Sequence, residues 1–150
     1  ETHSHLIGVE SKRFEPFRSA KRAVLSVAYD RDVWGEPMAG WTAMRDTLRG
    51  DPGAFRHLDA AQLVKHALGL ATQSKAQGKH AVLFYLFAEP RDPRVLPEAI
   101  ARHREEVVRF DAMLGENRVV FRWSSWREWL NAFRGDAAGH AEVLVARFGL

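Results

Sequence analysis

The stretch that decides the fold is HLIGVESK at residues 5–12, a short apolar run that ends in an acidic and a basic side chain. It predicts a β-strand. Because the side chains of a strand alternate between two faces, Glu10 and Lys12 lie on one face and Ser11 on the other. A carboxylate and an ammonium group at a strand end can hold a divalent cation and steady a phosphate. On its own, such a pair is also typical of a solvated surface ion pair.

Two further strands are predicted downstream. Residues 81–88, with the sequence AVLFYLFA, are almost wholly apolar, which is typical of a strand buried on both faces in a parallel sheet. Residues 118–123 form the third predicted strand. Between residues 13 and 36 the sequence predicts a long irregular connection, in which 23–29 could form one more short strand.

Helical periodicity lies between and after these strands. Helices are predicted from Pro37 to about Arg49, over 59–74 with Asp59 as N-cap, from Pro97 to about Leu114, from a capping box at 125–128 to Phe133, and from Asp136 to Gly149. The alternation of strands and helices favours an α/β fold. In such a fold the strands at 5–12 and 81–88 run parallel, and the helix at 59–74 packs against one face of the sheet.

The composition is that of a globular domain, since 46% of the 150 residues are apolar and 27% are charged. We expect one domain spanning residues 1–150. Cysteine is absent, which excludes disulfides, zinc ribbons and thiol nucleophiles and suits the cytoplasm. The net charge of +3 is compatible with an anionic partner, and no segment is long enough for a membrane span. The first residue is Glu, so a processed chain or a piece of a longer protein is expected.

The helix predicted over 59–74 can contribute to a site at the end of the first strand. Gln62, Lys65 and His66 fall within about one helical turn, so two of the three could project toward the strand end. His66 taken alone is more typical of a half-buried helix residue than of a catalytic base.

Hydrolysis of a phosphodiester with a divalent metal needs oxygen ligands for the ion, an attacking water and positive charge near the phosphate. Glu10 and the backbone carbonyl of Ser11 can supply the ligands, since hard cations accept oxygen donors of either kind. Lys12 can orient the water or contact the phosphate. These residue types therefore suit a metal-dependent nuclease.

The order of a Glu10-x-Lys12 strand, a helix with Gln62 and an apolar strand resembles the PD-(D/E)xK nuclease superfamily, the fold of many restriction enzymes and DNA-repair nucleases. More narrowly, GVESKRFEP at 8–16 is similar to a bacterial group of uncharacterised restriction-endonuclease-like proteins, and LDAAQL at 58–63 and YLFAEP at 85–90 extend the likeness. The resemblance covers residues 5–90 by motif and the last third of the chain by general layout.

This resemblance implies a three-layer core with a mixed sheet flanked by helices, and leaves open whether N-terminal strands of that fold are missing from the chain. It implies cleavage of DNA or RNA with Mg²⁺ or Mn²⁺ as cofactor. Glu10 would be a metal ligand together with Ser11, Lys12 the catalytic lysine and Gln62 an auxiliary residue near the phosphate. Nucleic acid is the implied partner, and restriction-like enzymes are often homodimers.

Basic residues after the motif are candidates for substrate binding. Arg13 and Arg18, with Lys21 and Arg22, could grip a phosphate backbone, and a solvated loop is an equally good interpretation. Lys65 on the predicted helix is a further candidate. Trp123, Trp126, Trp129 and Phe133 form an aromatic stripe for which core packing is favoured over base stacking.

The chain departs from the family pattern at one position. The family's first acidic ligand is an aspartate on the preceding strand, and here no Asp occurs before Asp30. Either that ligand lies upstream or the site is degenerate, and Glu15 and Asp59 are possible substitutes. The alternative function is therefore a catalytically degenerate nucleic-acid-binding or protein-interaction module of the same fold. A small α/β domain in which Glu10 and Lys12 form only a structural pair is a third reading.

Overall fold

A computed structural model describes residues 3–13, 15–18, 20, 22–90, 92 and 96–149 of the chain. The strands are β1 (His5–Lys12), β2 (His80–Phe87) and β3 (Val119–Ser125). The helices are α1 (Ala39–Gly50), α2 (Ala60–Gln77), α3 (Pro97–Leu114), α4 (Trp126–Asn131) and α5 (Asp136–Phe148). Short 3₁₀ turns occupy Glu15–Phe17, Val27–Asp30 and Glu36–Met38.

The three strands form one parallel sheet in the order β1-β2-β3, with Glu10 of β1 opposite Tyr85 of β2 and Tyr85 opposite Trp123 of β3. The predicted α/β class and the parallel pairing of β1 with β2 are confirmed. The described sheet is parallel, however, where the family resemblance implied a mixed one. Each connection between its strands contains helix, which returns the chain to the same end of the sheet.

One face of the sheet is covered by α1, α2 and α3 and contains most of the core. Trp41 of α1 is fully buried, and its indole Nε1 donates a hydrogen bond of 2.9 Å to the carbonyl of Val119 at the start of β3. Gly8 of β1 allows α2 to approach closely, because a Cβ atom there would lie 2.7 Å from Cδ1 of Leu70. The close packing of α2 on β1 fixes the distance across which side chains of the two elements can meet.

The predicted helices are present with shifted ends. Asp59 is the N-cap of α2 as predicted, and the helix continues past residue 74 until Gly78 closes it in the left-handed conformation. Pro37 lies in a 3₁₀ turn rather than at the start of α1. The capping box at the start of α4 is confirmed, whereas 23–29 contains no strand and ends in a 3₁₀ turn.

The other face of the sheet is covered only in part. Phe84 of β2 packs edge to face against Trp129 of α4, with ring centroids 6.2 Å apart, while Ile7 and Val9 of β1 remain exposed. The core packing predicted for the aromatic stripe is confirmed for Trp123, which packs against the hydrophobic core, whereas Trp129 is half-buried on this second face. Among the described helices none is both long and apolar enough to cross a membrane.

Candidate active site

Glu10 and Lys12 form an ion pair at the end of β1 on the face that α2 covers. The Nζ atom of Lys12 lies 2.9 Å from Oε1 of Glu10, and the two side chains are only 16% and 9% exposed. Their shielding from water strengthens the attraction between opposite charges, and it also makes either charge costly to leave unpaired. The pair is therefore not the solvated surface ion pair that was the alternative interpretation.

Two side chains of α2 complete this arrangement. Lys12 Nζ donates a hydrogen bond of 2.8 Å to Oε1 of Gln62, and Nδ1 of His66 lies 2.9 Å from Oε2 of Glu10. Gln62 and His66 are four residues apart and so share one face of the helix. The expectation that two of the three polar residues in this turn reach the strand end is confirmed. Lys65 lies between them in sequence and does not take part in these contacts.

The first turn of α2 is held in register by carboxylates. The side chain of Asp59 accepts a hydrogen bond from the backbone N–H of Gln62 at 3.2 Å. Just before the helix, the carboxylate of Glu106 on α3 accepts the backbone N–H groups of Arg56, His57 and Leu58 at 2.8–2.9 Å. These contacts tie the start of α2 to α3 and thereby position Gln62 one turn later.

A buried neutral pair lies beside Glu10. Tyr85, opposite Glu10 in the neighbouring strand, pairs its hydroxyl with Nε2 of His103 at 2.9 Å. Burial, and after it the negative charge of Glu10, raises the pKa of Tyr85 above its usual value. Burial lowers the pKa of His103 to about 3, and the positive charges of His57 and Arg104 act in the same direction. Both side chains are therefore uncharged at neutral pH.

The backbone of β1 presents a carbonyl oxygen at the edge of the described sheet. The carbonyl of Lys12 accepts the N–H of Ala88, so it faces β2. Because consecutive carbonyls of a strand point to opposite sides, the carbonyl of Ser11 faces away from β2. In the described sheet β1 is an edge strand, so no other strand pairs with it on that side.

The predicted substrate-binding residues do not join this cluster. Arg13 and Arg18 are exposed residues in the chain that follows β1, and Lys65 is half-buried on α2. Lys21, which was grouped with them, lies outside the described residues.

The candidate replacements for the missing aspartate have other partners. Glu15 accepts the backbone N–H of Arg13 at 2.7 Å, and Asp59 caps α2. Within the part of the chain that the structure describes, no three His, Asp or Glu side chains are grouped closely enough to hold a metal ion. The carboxylate of Glu10 is therefore the single acidic side chain that we place in the cluster.

His66 is the cluster residue that sequence reasoning did not select. Its side chain is 43% exposed, yet it contacts Glu10, which is almost fully buried. His66 is four residues from Gln62, and this spacing places both side chains on the same face of α2. The spacing predicts the shared face, but only the position of β1 shows which residues that face contacts.

Comparison of the chain with family models, with curated proteins and with solved structures finds no match.

Proposed function

We propose that this protein is a Mg²⁺-dependent nuclease that hydrolyses phosphodiester bonds of DNA or RNA. The observation that carries the proposal is the contact of Glu10 and Lys12, at the end of a parallel strand, with Gln62 and His66 of one helix face. The motif resemblance to the PD-(D/E)xK superfamily supports the same reaction.

The oxygen atoms available at the site are of the kind that magnesium prefers as ligands. Mg²⁺ is commonly held by one or two carboxylates, with substrate phosphates and water filling its other positions. The carboxylate of Glu10 and the outward carbonyl of Ser11 are two hard oxygen donors on consecutive residues. When bound, Mg²⁺ or Mn²⁺ would offset negative charge on the phosphate and acidify a coordinated water.

Lys12 supplies positive charge for the reaction. Its ammonium group is held by Glu10 on one side and by the amide oxygen of Gln62 on the other. Because both partners are fixed in β1 and α2, the charge is preorganised and needs little reorganisation when negative charge develops on the phosphate oxygens. Gln62 thus acts as a positioning residue for the lysine.

His66 is suited to accept a proton from the attacking water. An ionised carboxylate only accepts hydrogen bonds, so the hydrogen shared with Glu10 belongs to Nδ1 of the imidazole. The second nitrogen, Nε2, then carries a lone pair in the neutral ring, and Glu10 holds the ring in that tautomer. The half-exposed position of His66 gives water access to it.

The other parts of the proposal concern the surroundings of the site. Arg13, Arg18 and Lys65 bind the phosphate backbone of the nucleic acid on either side of the scissile bond. The enzyme works in the cytoplasm, where a chain without cysteine suits the reducing conditions. It works as a homodimer, as restriction-like enzymes often do.

The test is cleavage of plasmid and single-stranded DNA and of RNA in the presence of Mg²⁺ or Mn²⁺, with the parent chain compared with Lys12→Ala. The control is Lys75→Ala, which removes an exposed lysine near the other end of α2. We expect cleavage by the parent and the control and at least a hundredfold loss in Lys12→Ala. Full cleavage by a folded Lys12→Ala protein would contradict the proposal.

A binding module without catalysis is the second candidate, and the single carboxylate of the described cluster favours it. It predicts that the parent chain binds nucleic acid with an affinity that falls steeply with salt concentration, and that no cleavage accompanies binding. Affinity that does not change with salt would contradict this second candidate.

A further inference from the structure

A concave site lies on the opposite side of β1 from the catalytic cluster. It is a cavity of about 330 Å³ whose described lining is mostly apolar and comes from four parts of the fold. The lining residues are Ser11, Arg13, Ala88, Trp126, Leu130, Leu144 and Phe148. We call this cavity the Trp126 pocket.

The Trp126 pocket is built at the carboxyl ends of the three parallel strands. Ser11 belongs to β1, Ala88 directly follows β2, and Trp126 directly follows β3. In α/β folds this end of the sheet is where ligands commonly bind. Helix α5 contributes Leu144 and Phe148 to the lining of the pocket.

The pocket shares its strand with the catalytic cluster. Ser11 stands between Glu10 and Lys12 in sequence, and side chains alternate along a strand, so the pocket and the cluster lie on opposite faces of the same strand end. The indole Nε1 of Trp126 donates a hydrogen bond of 3.2 Å to Oγ of Ser11, which ties the pocket wall to this strand. A ligand that crosses the strand end can therefore reach both places.

The aromatic rings and the guanidinium group of the lining indicate which kind of ligand the pocket can bind. Trp126 and Phe148 offer aromatic surface on which a planar ring can stack, and stacking of a base on an aromatic side chain is tolerant of base identity. Arg13 adds a guanidinium group of the kind that binds phosphate. An aromatic ring joined to a phosphate is what a nucleotide presents.

We propose that the Trp126 pocket binds an unpaired nucleobase of the nucleotide next to the scissile phosphate, with Arg13 on that nucleotide's phosphate. The inference rests on the proposed nuclease function and deepens it by naming the substrate class. A base can enter the pocket only when it is not stacked in a duplex, so the preferred substrate is single-stranded or carries unpaired nucleotides.

The test measures binding separately from cleavage. The indole N–H resonance of Trp126, assigned with Trp126→Phe, is followed by NMR in the parent chain without metal. Nucleoside 5′-monophosphates, inorganic phosphate and octanoate are added in separate titrations. We expect the monophosphates to shift the resonance, and inorganic phosphate and octanoate to leave it unchanged.

Two variants on α5 make the comparison specific. Phe148→Ala removes an aromatic wall of the pocket at a residue that is 48% exposed, and Val143→Ala removes an exposed side chain that does not line the pocket. We expect Phe148→Ala to weaken binding of a single-stranded oligonucleotide at least about fivefold and Val143→Ala to leave it unchanged. We also expect the parent chain to bind an oligonucleotide more weakly when its bases are replaced by abasic sites.

Several results would overturn the inference. They are the absence of any shift with the monophosphates, an equal response of Phe148→Ala and Val143→Ala, or a shift caused by octanoate in place of nucleotides. These outcomes are distinct from failure of the proposed function. Cleavage that depends on Lys12 but shows no preference for unpaired substrates would support the nuclease proposal and contradict the role of the pocket. Binding of monophosphates in the pocket without any cleavage of nucleic acid would support the pocket and contradict the nuclease proposal.

Discussion

His66 Nδ1 lies 2.9 Å from Glu10 Oε2, and this contact links the middle of α2 to the end of β1. The other oxygen of Glu10 is 2.9 Å from Lys12, so both oxygens of a nearly buried carboxylate have a nitrogen partner. A buried charge is tolerated when it is paired and hydrogen-bonded in this way. The His66 side chain that makes this contact remains 43% exposed to solvent.

We expect His66→Ala to lower cleavage by about a hundredfold or more, because a positioned proton acceptor contributes about that factor to hydrolysis. Glu10 keeps its contact with Lys12, so the fold is retained, as circular dichroism and thermal melting can verify. Added imidazole should restore part of the activity, since it can occupy the space left by the side chain. His140→Ala, at an exposed position on α5, is the control.

This outcome separates a proton acceptor from a structural residue. If His66 acts only by holding Glu10 in place, imidazole has no effect and His66→Gln, whose amide can still contact the carboxylate, retains parent activity. Parent activity in His66→Ala itself would remove the residue from the mechanism.

Because His103 is buried in the folded protein, we expect the protein to lose stability in mild acid. Its pKa in the folded protein is about 3 because it is buried, compared with 6.5 for an ordinary histidine. Below pH 6.5 the unfolded chain therefore binds a proton that the folded chain does not, and stability falls as the pH falls. Between pH 7 and pH 5 the contribution of His103 alone is about 2 kcal/mol.

Urea unfolding of the parent and of His103→Gln at the two pH values measures this contribution. Glutamine does not titrate and can still hydrogen-bond the hydroxyl of Tyr85, so the loss between pH 7 and pH 5 should shrink by about 2 kcal/mol. His140→Gln, in which the replaced histidine is exposed, should keep the parent's pH dependence. An unchanged pH dependence in His103→Gln would show that His103 is not held neutral by burial.

Glu106 predicts a stability effect that is independent of catalysis. Its carboxylate accepts three consecutive backbone N–H groups just before α2, and hydrogen bonds to a charged acceptor are stronger than neutral ones. Glu106→Gln replaces one acceptor oxygen by a donor that faces those N–H groups, and we expect the free energy of unfolding to fall by about 2 kcal/mol.

The neighbouring Glu105 gives a matched control for this change. It is exposed on the same helix, so Glu105→Gln should alter the free energy of unfolding by less than about 0.5 kcal/mol. Equal effects of the two substitutions in chemical denaturation would show that the three hydrogen bonds to Glu106 contribute nothing net. A larger effect at Glu106 would support its role in holding the start of α2.

Much of the fold was predictable because it depends on local patterns. The alternation in HLIGVESK and the continuous apolar run of β2 identify strands, and Asp59 and the capping box at Ser125 identify helix starts. The mixed sheet came from the family resemblance and was wrong for the described strands, whereas the alternation of strands and helices correctly predicted that β1 and β2 are parallel. The end of α2 was predicted too early, at residue 74, although Gly78, which closes the helix in the left-handed conformation, is itself a local stop signal.

The sequence by itself determined that Glu10 and Lys12 share a face of one strand, because the period of a strand is two residues. It also determined that Gln62 and His66 share a face of one helix. Only the tertiary structure decided that these two faces meet, that Lys65 stays outside and that the Trp126 pocket lies behind Ser11. The close approach of α2 to β1 over Gly8 and the arrangement of the three strand ends join residues that are fifty or more positions apart in sequence. No local rule of spacing reaches that distance.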